Sequence, residues 1–303
     1  SVTTPNREQS SAPLSLLHGE TMTHPNPSRR LFIGLRKEDL EGKPYASFYN
    51  PRVAALPEHA KEALLHGPVA GPLLPRLSDA PQLLFSTETE LENGFGIQND
   101  GSLHVAIRTD MPNVNPEMID FWFGWHSAEP QRYKLWHPRA HLHAQWESAE
   151  SAHLANQKGR ARYVGRTSFV DEYLGSTLTQ AAINFLPPTE LAFDESTLAD
   201  PQQATVIAAR ISLTNSPLEA GYLVHHVRRV AGGAQMRSRF WLGGPYAALR
   251  AGRFQVPVPS QVARLIRTPT LDEGRDLLVH CSQEMSHLAT FLPKLYAELH
   301  DLP

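Results

Sequence analysis

The chain has 303 residues and a mass of 33.7 kDa, and its composition, 41% hydrophobic and 19% charged, is typical of a globular protein. A formal net charge of -3 without a basic block argues against a nucleic-acid partner, and no apolar run is long enough to span a membrane. The single cysteine, Cys281, excludes an intrachain disulfide, and the N-terminus lacks the layout of a secretory signal, so we expect a cytoplasmic protein.

Residues 1–90 are predicted to form a tail and a small cap or dimerisation domain, separate from a main domain over 91–303. The first thirty residues are rich in Ser, Thr, Pro and Asn, which is typical of a tail or a surface wrap. Frequent prolines then indicate loops with short helices, since proline fixes φ and removes a backbone donor. One helix is readable between Pro57, in its first turn, and a stop at Gly67.

Six segments after residue 100 are predicted to be β-strands. They are rich in β-branched or aromatic residues, and each is bounded by Gly, Pro, Asn or Asp. Only Ala-Gly-Gly separates the last two, which indicates a hairpin, and such short connections favour an antiparallel sheet. The six segments are 103–109, 161–170, 176–186, 205–213, 221–230 and 234–243.

The C-terminus is predicted to be one long helix. Thr270 and Glu273 have the spacing of a capping box, and apolar residues recur at helical spacing from Leu277 to Leu295, through a predicted kink at Pro293. A long final helix lying across a curved antiparallel sheet is an α+β helix-grip architecture. The concavity of such a fold can hold an apolar ligand.

The stretch Ile119–Trp146 carries four of the five tryptophans and four of the fifteen histidines. Tryptophan side chains form apolar walls, while neutral imidazoles ligate metals and move protons. A core strand or helix needs the tryptophans but gains nothing from the histidines. A site that binds an aromatic ligand beside a metal uses both, so this stretch is the first candidate for chemistry.

Two patterns could contribute metal ligands. His280 and Glu284 are four residues apart on the predicted final helix, so they project from one face and offer zinc two ligands. His141-x-His143-x3-Glu147 matches the metal motif of cupins, although the glycines and the second motif that accompany it there are missing.

Two pairs of neighbouring residues are further candidates. Asp171 and Glu172 follow a strand-like segment, at a position where a carboxylate can turn inward. His225 and His226 point to opposite faces if their segment is a strand, so one of them faces the concavity. The sequence has no Gly-rich phosphate loop and no Gly-x-Ser-x-Gly elbow.

The segment WFGWHSAEPQRYKLWHPRAH, followed by VDEYLG and a C-terminal HxxxE, resembles the zinc-dependent C–C bond hydrolases. This is the family of 2,4-diacetylphloroglucinol hydrolase and phloretin hydrolase, and the resemblance covers residues 95–295. It implies a Bet v 1-like helix-grip fold, a homodimer, and one Zn²⁺ held by two His and two Glu. Carried over by motif, the implied zinc ligands are His141, Glu172, His280 and Glu284.

The resemblance also implies residues that act on the substrate. Tyr133, in EPQRY, matches a residue that contacts the substrate's oxygens, and His226 is assigned as a second active-site histidine by its spacing. Aromatic side chains are expected to enclose the substrate's ring. The candidates for that role are Trp122, Trp136, Phe240 and Trp241.

Two positions depart from the family pattern. This chain has Ala144 where diacetylphloroglucinol hydrolase has an asparagine, and Arg239-Phe240-Trp241 where that enzyme has a second substrate-binding tyrosine. Both changes remove polar contacts to the substrate and leave the implied zinc ligands in place.

The activity implied by the resemblance is hydrolysis of the bond between an acyl group and a polyhydroxylated aromatic ring, giving a phenol and a carboxylic acid. The partner is then a small aromatic ketone, such as an acylphloroglucinol. Two alternatives remain open. The first is a cupin-like metal-dependent oxygenase that uses His141, His143 and Glu147, and the second is a non-catalytic helix-grip carrier of aromatic ligands.

Overall fold

The computed structural model describes residues 21–149, 157–251, 254–258 and 268–302. Its body is an antiparallel sheet in which the strands follow the order β1-β2-β8-β7-β6-β5-β4-β3, with β9 pairing to β7 and to β10. The strands are β1 Gly94–Ile97, β2 Leu103–Pro112, β3 His141–Trp146, β4 Thr167–Leu174, β5 Thr177–Leu186, β6 Ala204–Leu213, β7 Leu218–Val230, β8 Gly233–Leu242, β9 Ala248–Ala251 and β10 Phe254–Pro257.

Five α-helices accompany the sheet in the described part of the chain. They are α1 Lys37–Leu40, α2 Glu58–His66, α3 Pro116–Trp125, α4 Pro130–Trp136 and α5 Leu271–Leu299. Within the described ranges, no helix combines the length and the apolar character needed to cross a membrane.

The connection between β2 and β3 gives the fold its shape. Because α3 and α4 lie between these two strands, β3 begins at the far edge of the sheet from β2. The final helix α5 then packs against β1, β2 and β4 and against α3 and α4. This arrangement confirms the predicted α+β helix-grip fold.

The sequence features that start α5 and hold it on the sheet are local. Thr270 caps the helix, since its hydroxyl accepts from the Glu273 amide at 3.2 Å while the Glu273 carboxylate accepts from the Thr270 amide at 2.8 Å. A Cβ at Gly274 would lie 2.7 Å from a methyl group of Leu103. Glycine therefore lets the first turn of α5 approach β2 closely.

All six predicted strands are present, and the largest change of boundary is in β4. The segment predicted as a strand over 161–170 becomes strand β4 only at Thr167, because Gly165 turns the chain with φ +82° and residues 159–162 form a 3₁₀ helix. Strands β1, β3, β9 and β10 were not predicted from the sequence. The helix predicted after Pro57 is α2, with Pro57 as its N-cap rather than in its first turn.

The described N-terminal residues share the core of the sheet and α5. Tyr45, Phe48 and Ala60 are buried in the same hydrophobic cluster as Trp122 and Leu288. The division of the chain at residue 90 stays a prediction.

Candidate metal centre

Three predicted metal ligands meet at one point in the structure. The Nε2 atoms of His141 and His280 are 3.3 Å apart, and Oε2 of Glu172 lies 3.4 Å from the first and 3.3 Å from the second. Oε2 of Glu284 lies 3.2 Å from Nε2 of His141 and 3.5 Å from Nε2 of His280.

Two strands and the final helix position these side chains. His141 is the first residue of β3 and pairs with Glu172 of the adjacent β4, so both side chains leave the sheet on the same face. His280 and Glu284 lie one turn apart on α5 and are also buried. The cluster therefore bridges the edge of the sheet and α5.

The His141, Glu172 and His280 atoms fit a metal ion. Zinc bound by imidazole nitrogen and carboxylate oxygen at about 2.0–2.2 Å has neighbouring ligand atoms roughly 3.3–3.6 Å apart when the geometry is tetrahedral. The three separations of 3.3, 3.3 and 3.4 Å match one face of that tetrahedron.

The hydrogen bonding of His141 leaves one nitrogen available to a metal. Its Nδ1 lies 2.9 Å from the Tyr133 carbonyl oxygen, which can only accept, so Nδ1 carries the proton and donates it. The lone pair of the neutral ring is then on Nε2, the atom that faces the cluster.

The electrostatics of the cluster also favour a divalent cation. Burial raises the pKa of Glu172, but His280 and His141 lower it well below its usual range. Burial lowers the pKa of His280, but Glu172 and Glu284 raise it to about 10. Two ionised carboxylates thus draw positive charge to this buried point, and a divalent cation would neutralise both.

Tyr133 contacts the cluster from α4. Its hydroxyl donates to Oε2 of Glu172 at 2.6 Å, and its ring stacks on the His141 ring at a centroid distance of 3.7 Å. Burial and the neighbouring Glu172 and Glu284 carboxylates raise the pKa of Tyr133 well above 10, so its hydroxyl stays protonated. Tyr133 therefore brings a proton donor to the edge of the metal centre.

The cluster opens into a cavity of about 1160 Å³ between the sheet and α5. Tyr133, Glu172, His280 and Glu284 line one part of it. Most of the remaining wall is apolar, which suits an aromatic ligand. The aromatic and imidazole side chains of this wall are Phe123, His126, Trp136, Phe185, His225 and Phe240.

The structure corrects the predicted second histidine. His225 pairs with Ser238 and lines the cavity, with Nδ1 at 2.7 Å from the Ser238 hydroxyl. His226 pairs with Arg237 and lies on the other face of the sheet, because neighbouring residues of a strand point to opposite sides. His226 therefore has no access to the metal centre.

Two of the four aromatic residues predicted to line the substrate site lie outside the cavity. Trp241 faces the outer side of β8, where its indole NH donates to the Pro75 carbonyl at 3.0 Å. Trp122 is fully buried between α3 and α5, against Phe291. Trp136 and Phe240 do line the cavity.

A β-bulge separates His143 from the predicted metal ligands. The pairing shifts between His141, opposite Glu172, and His143, opposite Asp171. Leu142 is thus an extra residue, and His143 faces the outer side with Asp171. The cupin-like motif needs His141 and His143 on one face, and this chain does not place them there.

The sequence did not assign His126. Its Nδ1 donates to the Trp122 carbonyl at 2.8 Å, which leaves Nε2 as an acceptor in a ring that lines the cavity. Burial lowers the pKa of His126 to about 4, so the ring is neutral. The only feature of the sequence that indicated this hydrogen bond was the position of His126, one helical turn after Trp122.

The model of a protein family described as the DAPG hydrolase PhiG domain matches residues 73–297 of this chain. The chain is 28% identical over 286 residues to a 2,4-diacetylphloroglucinol hydrolase of Pseudomonas sp, covering 90% of this chain and 93% of that protein. It is also 28% identical over 271 residues to phloretin hydrolase of Eubacterium ramulus, covering 89% and 94%. The crystal structure of Ara h 8.0201 aligns with 62% of this chain and 98% of its own, at 11% identity and a TM-score of 0.31.

Proposed function

This chain belongs to the DAPG hydrolase PhiG domain family, and we propose that it is a zinc-dependent hydrolase of acylphloroglucinols or related aromatic ketones. It would cleave the bond between the acyl carbon and the polyhydroxylated ring, giving a phenol and a carboxylic acid. The observation that carries this proposal is the His141, Glu172 and His280 cluster, which opens into a largely apolar cavity.

The residues that would hold zinc are His141, Glu172, His280 and Glu284. When bound there, zinc supplies a Lewis acid for the acyl carbonyl and lowers the pKa of a bound water toward about 7. Two imidazoles and carboxylate oxygens are a donor set that zinc accepts readily.

Residues of the chain itself would donate and accept the protons of the reaction. Water adds its oxygen to the acyl carbon, and the bond to the ring breaks as the ring carbon takes up a proton. A ring with ortho and para hydroxyls can reach the keto tautomer that this retro-Claisen step needs. Tyr133 lies beside Glu172 as the donor, and His225 is a neutral base in the same cavity.

The apolar wall would orient the ring and exclude bulk water. Trp136, Phe123 and Phe240 line the cavity and offer flat apolar surfaces to an aromatic ring. Excluding water also strengthens each polar contact at the metal centre, because the local dielectric constant falls.

The proposal is tested by removing one ligand from α5. We expect His280→Ala to lose bound zinc and the cleavage of diacetylphloroglucinol together, as measured by elemental analysis and by product mass. His300→Gln, at the end of the same helix, is the control and should keep both. Full activity in a zinc-free His280→Ala protein would overturn the proposal.

The same experiments separate the alternatives. An iron-dependent oxygenase would contain iron and would need oxygen, because two histidines and one carboxylate are also the ligands of non-haem iron enzymes. A carrier would bind the ketone saturably and release no product. The homodimer and the cytoplasmic location stay predictions.

A further inference from the structure

An N-terminal segment lies behind the metal centre. Residues 21–35, here called the strap, contain no helix or strand. The amide of Asn215 donates to the Met22 carbonyl at 2.6 Å near the start of the strap. From there the strap reaches β3, β4 and α4, the three elements that carry His141, Glu172 and Tyr133.

The strap joins β4 through a buried ion pair. Arg29 donates to Asp171 from both Nε and Nη2, the second at 2.6 Å, and the two side chains are 5% and 1% exposed. The Gln180 side chain donates to the same carboxylate at 2.8 Å. Asp171 directly precedes Glu172, so the ion pair holds the strand at the residue before the metal ligand.

The two faces of β4 have different partners. Ser168, Val170 and Glu172 line the cavity, whereas Phe169 and Asp171 point outward, as alternation along a strand requires.

His24 of the strap covers this outer face. Its ring lies 5.3 Å from the His143 ring and 5.2 Å from the Phe169 ring. The strap therefore shields the outer side of the strands whose inner side carries the metal ligands.

The strap also holds α4. Lys134 is buried, and its ammonium donates to the Phe32 carbonyl at 2.7 Å and to the Gly34 carbonyl at 3.0 Å. Lys134 directly follows Tyr133, whose carbonyl orients His141 and whose hydroxyl donates to Glu172. The strap thus contacts Asp171 and Lys134, which are the sequence neighbours of Glu172 and Tyr133.

We propose that the strap is a positioning element for the metal centre and that Arg29, through Asp171, is its main positioning residue. Without Arg29 the buried Asp171 carboxylate would lose its counter-charge, and β4 would have to shift to bring that carboxylate to water. Such a shift moves Glu172 away from His141 and His280. Groups that hydrogen-bond directly to metal ligands typically contribute 10- to 100-fold to metal affinity. Arg29 acts one residue further away, so we expect an effect at the lower end of that range.

This inference rests on the proposed zinc site, and its test measures zinc binding rather than turnover. We expect Arg29→Ala to raise the dissociation constant for zinc by about ten-fold, as measured by chelator competition. We also expect the rise in melting temperature on adding zinc to become smaller. Lys61→Ala, which removes an exposed ion pair with Glu58 on α2, is the matched control and should change neither quantity.

A second variant and two contrary outcomes complete the test of the positioning role. If Arg29→Ala does not fold, Arg29→Lys keeps the charge but loses the two-point contact, and we expect a smaller loss of zinc affinity in the same direction. Wild-type zinc affinity and an unchanged zinc-induced rise in folded Arg29 variants would overturn the positioning role. Failure of the wild-type protein to bind zinc would instead overturn the proposed function.

Discussion

Tyr133 connects the metal centre to α4 at two points, since its carbonyl fixes the tautomer of His141 and its hydroxyl donates to Glu172. We expect Tyr133→Phe to retain zinc, because the backbone contact to His141 remains. Turnover should fall by about 10²-fold or more, the usual effect of losing a positioned proton donor. Tyr173→Phe, on β4 and outside the cavity wall, is the control, and unchanged turnover in Tyr133→Phe would remove that hydroxyl from the mechanism.

His225 and His226 provide a matched pair of variants, because they are adjacent in sequence and face opposite sides of β7. We expect His225→Asn to reduce turnover by about 10²-fold, since it removes a neutral base from the cavity. His226→Asn should leave the kinetic constants unchanged. Steady-state kinetics on one substrate checks both, and the reverse result would show that the face assignment is wrong.

The outer side of β8 carries a buried charge cluster that belongs to the fold. Glu92 accepts from Arg237 at 2.8 Å and from Arg239 at 2.8 Å, and both arginines are buried. Burial raises the pKa of Glu92, but the two arginines lower it to about 2. Since the pKa in the folded state is below the unfolded value of about 4.5, the stabilisation is present above pH 4.5 and is lost as the pH falls toward 2.

We therefore expect Glu92→Gln to lower the free energy of unfolding by about 3–5 kcal/mol at pH 7, because two buried guanidinium groups lose their counter-charge. The difference from wild type should shrink as the pH falls from 4.5 toward 2. Urea unfolding followed by circular dichroism at several pH values measures it. A difference that stays constant across that range would contradict the assignment.

Much of the sheet could be predicted because strand alternation and turn residues are local signals, but side-chain faces depend on register. Val230 pairs with Gly233 in the β7–β8 hairpin, so Phe240 lies opposite Leu223. Phe240 therefore shares a face with His225 and not with His226 or Trp241. That register could have been predicted by counting residues outward from the hairpin turn.

Other parts of the site could not be read from the sequence. The bulge at Leu142 leaves no local signature, so nothing indicated that His143 turns away from His141. The spacing of His280 and Glu284 indicated a possible pair of ligands, but only the family resemblance grouped them with His141 and Glu172, because pairing between β3, β4 and α5 is a property of the tertiary fold. The contact between Arg29 and Asp171 spans 142 residues and has no sequence signal at all.

At the scale of the whole molecule, the cavity predicts a substrate larger than a short-chain ketone. Its volume of about 1160 Å³ exceeds the roughly 300–1000 Å³ of typical small-ligand sites. Along a series of acylphloroglucinols we expect kcat/KM to rise as the acyl chain lengthens from acetyl, by up to about four-fold per buried methylene. Competition kinetics on mixtures measures the ratios, and a maximum at acetyl would contradict the prediction.

The proposed metal ligands are widely separated along the chain, and this would constrain when a metal can bind during folding. The two histidines that meet at 3.3 Å are 139 residues apart, and Glu284 comes from the same late helix as His280. Such long-range closures form late in folding, because they carry the entropy of a large loop. If this chain binds zinc as proposed, a chain still being synthesised would lack half of the proposed ligands. Zinc binding would then follow completion of α5 and would not guide folding of the earlier strands.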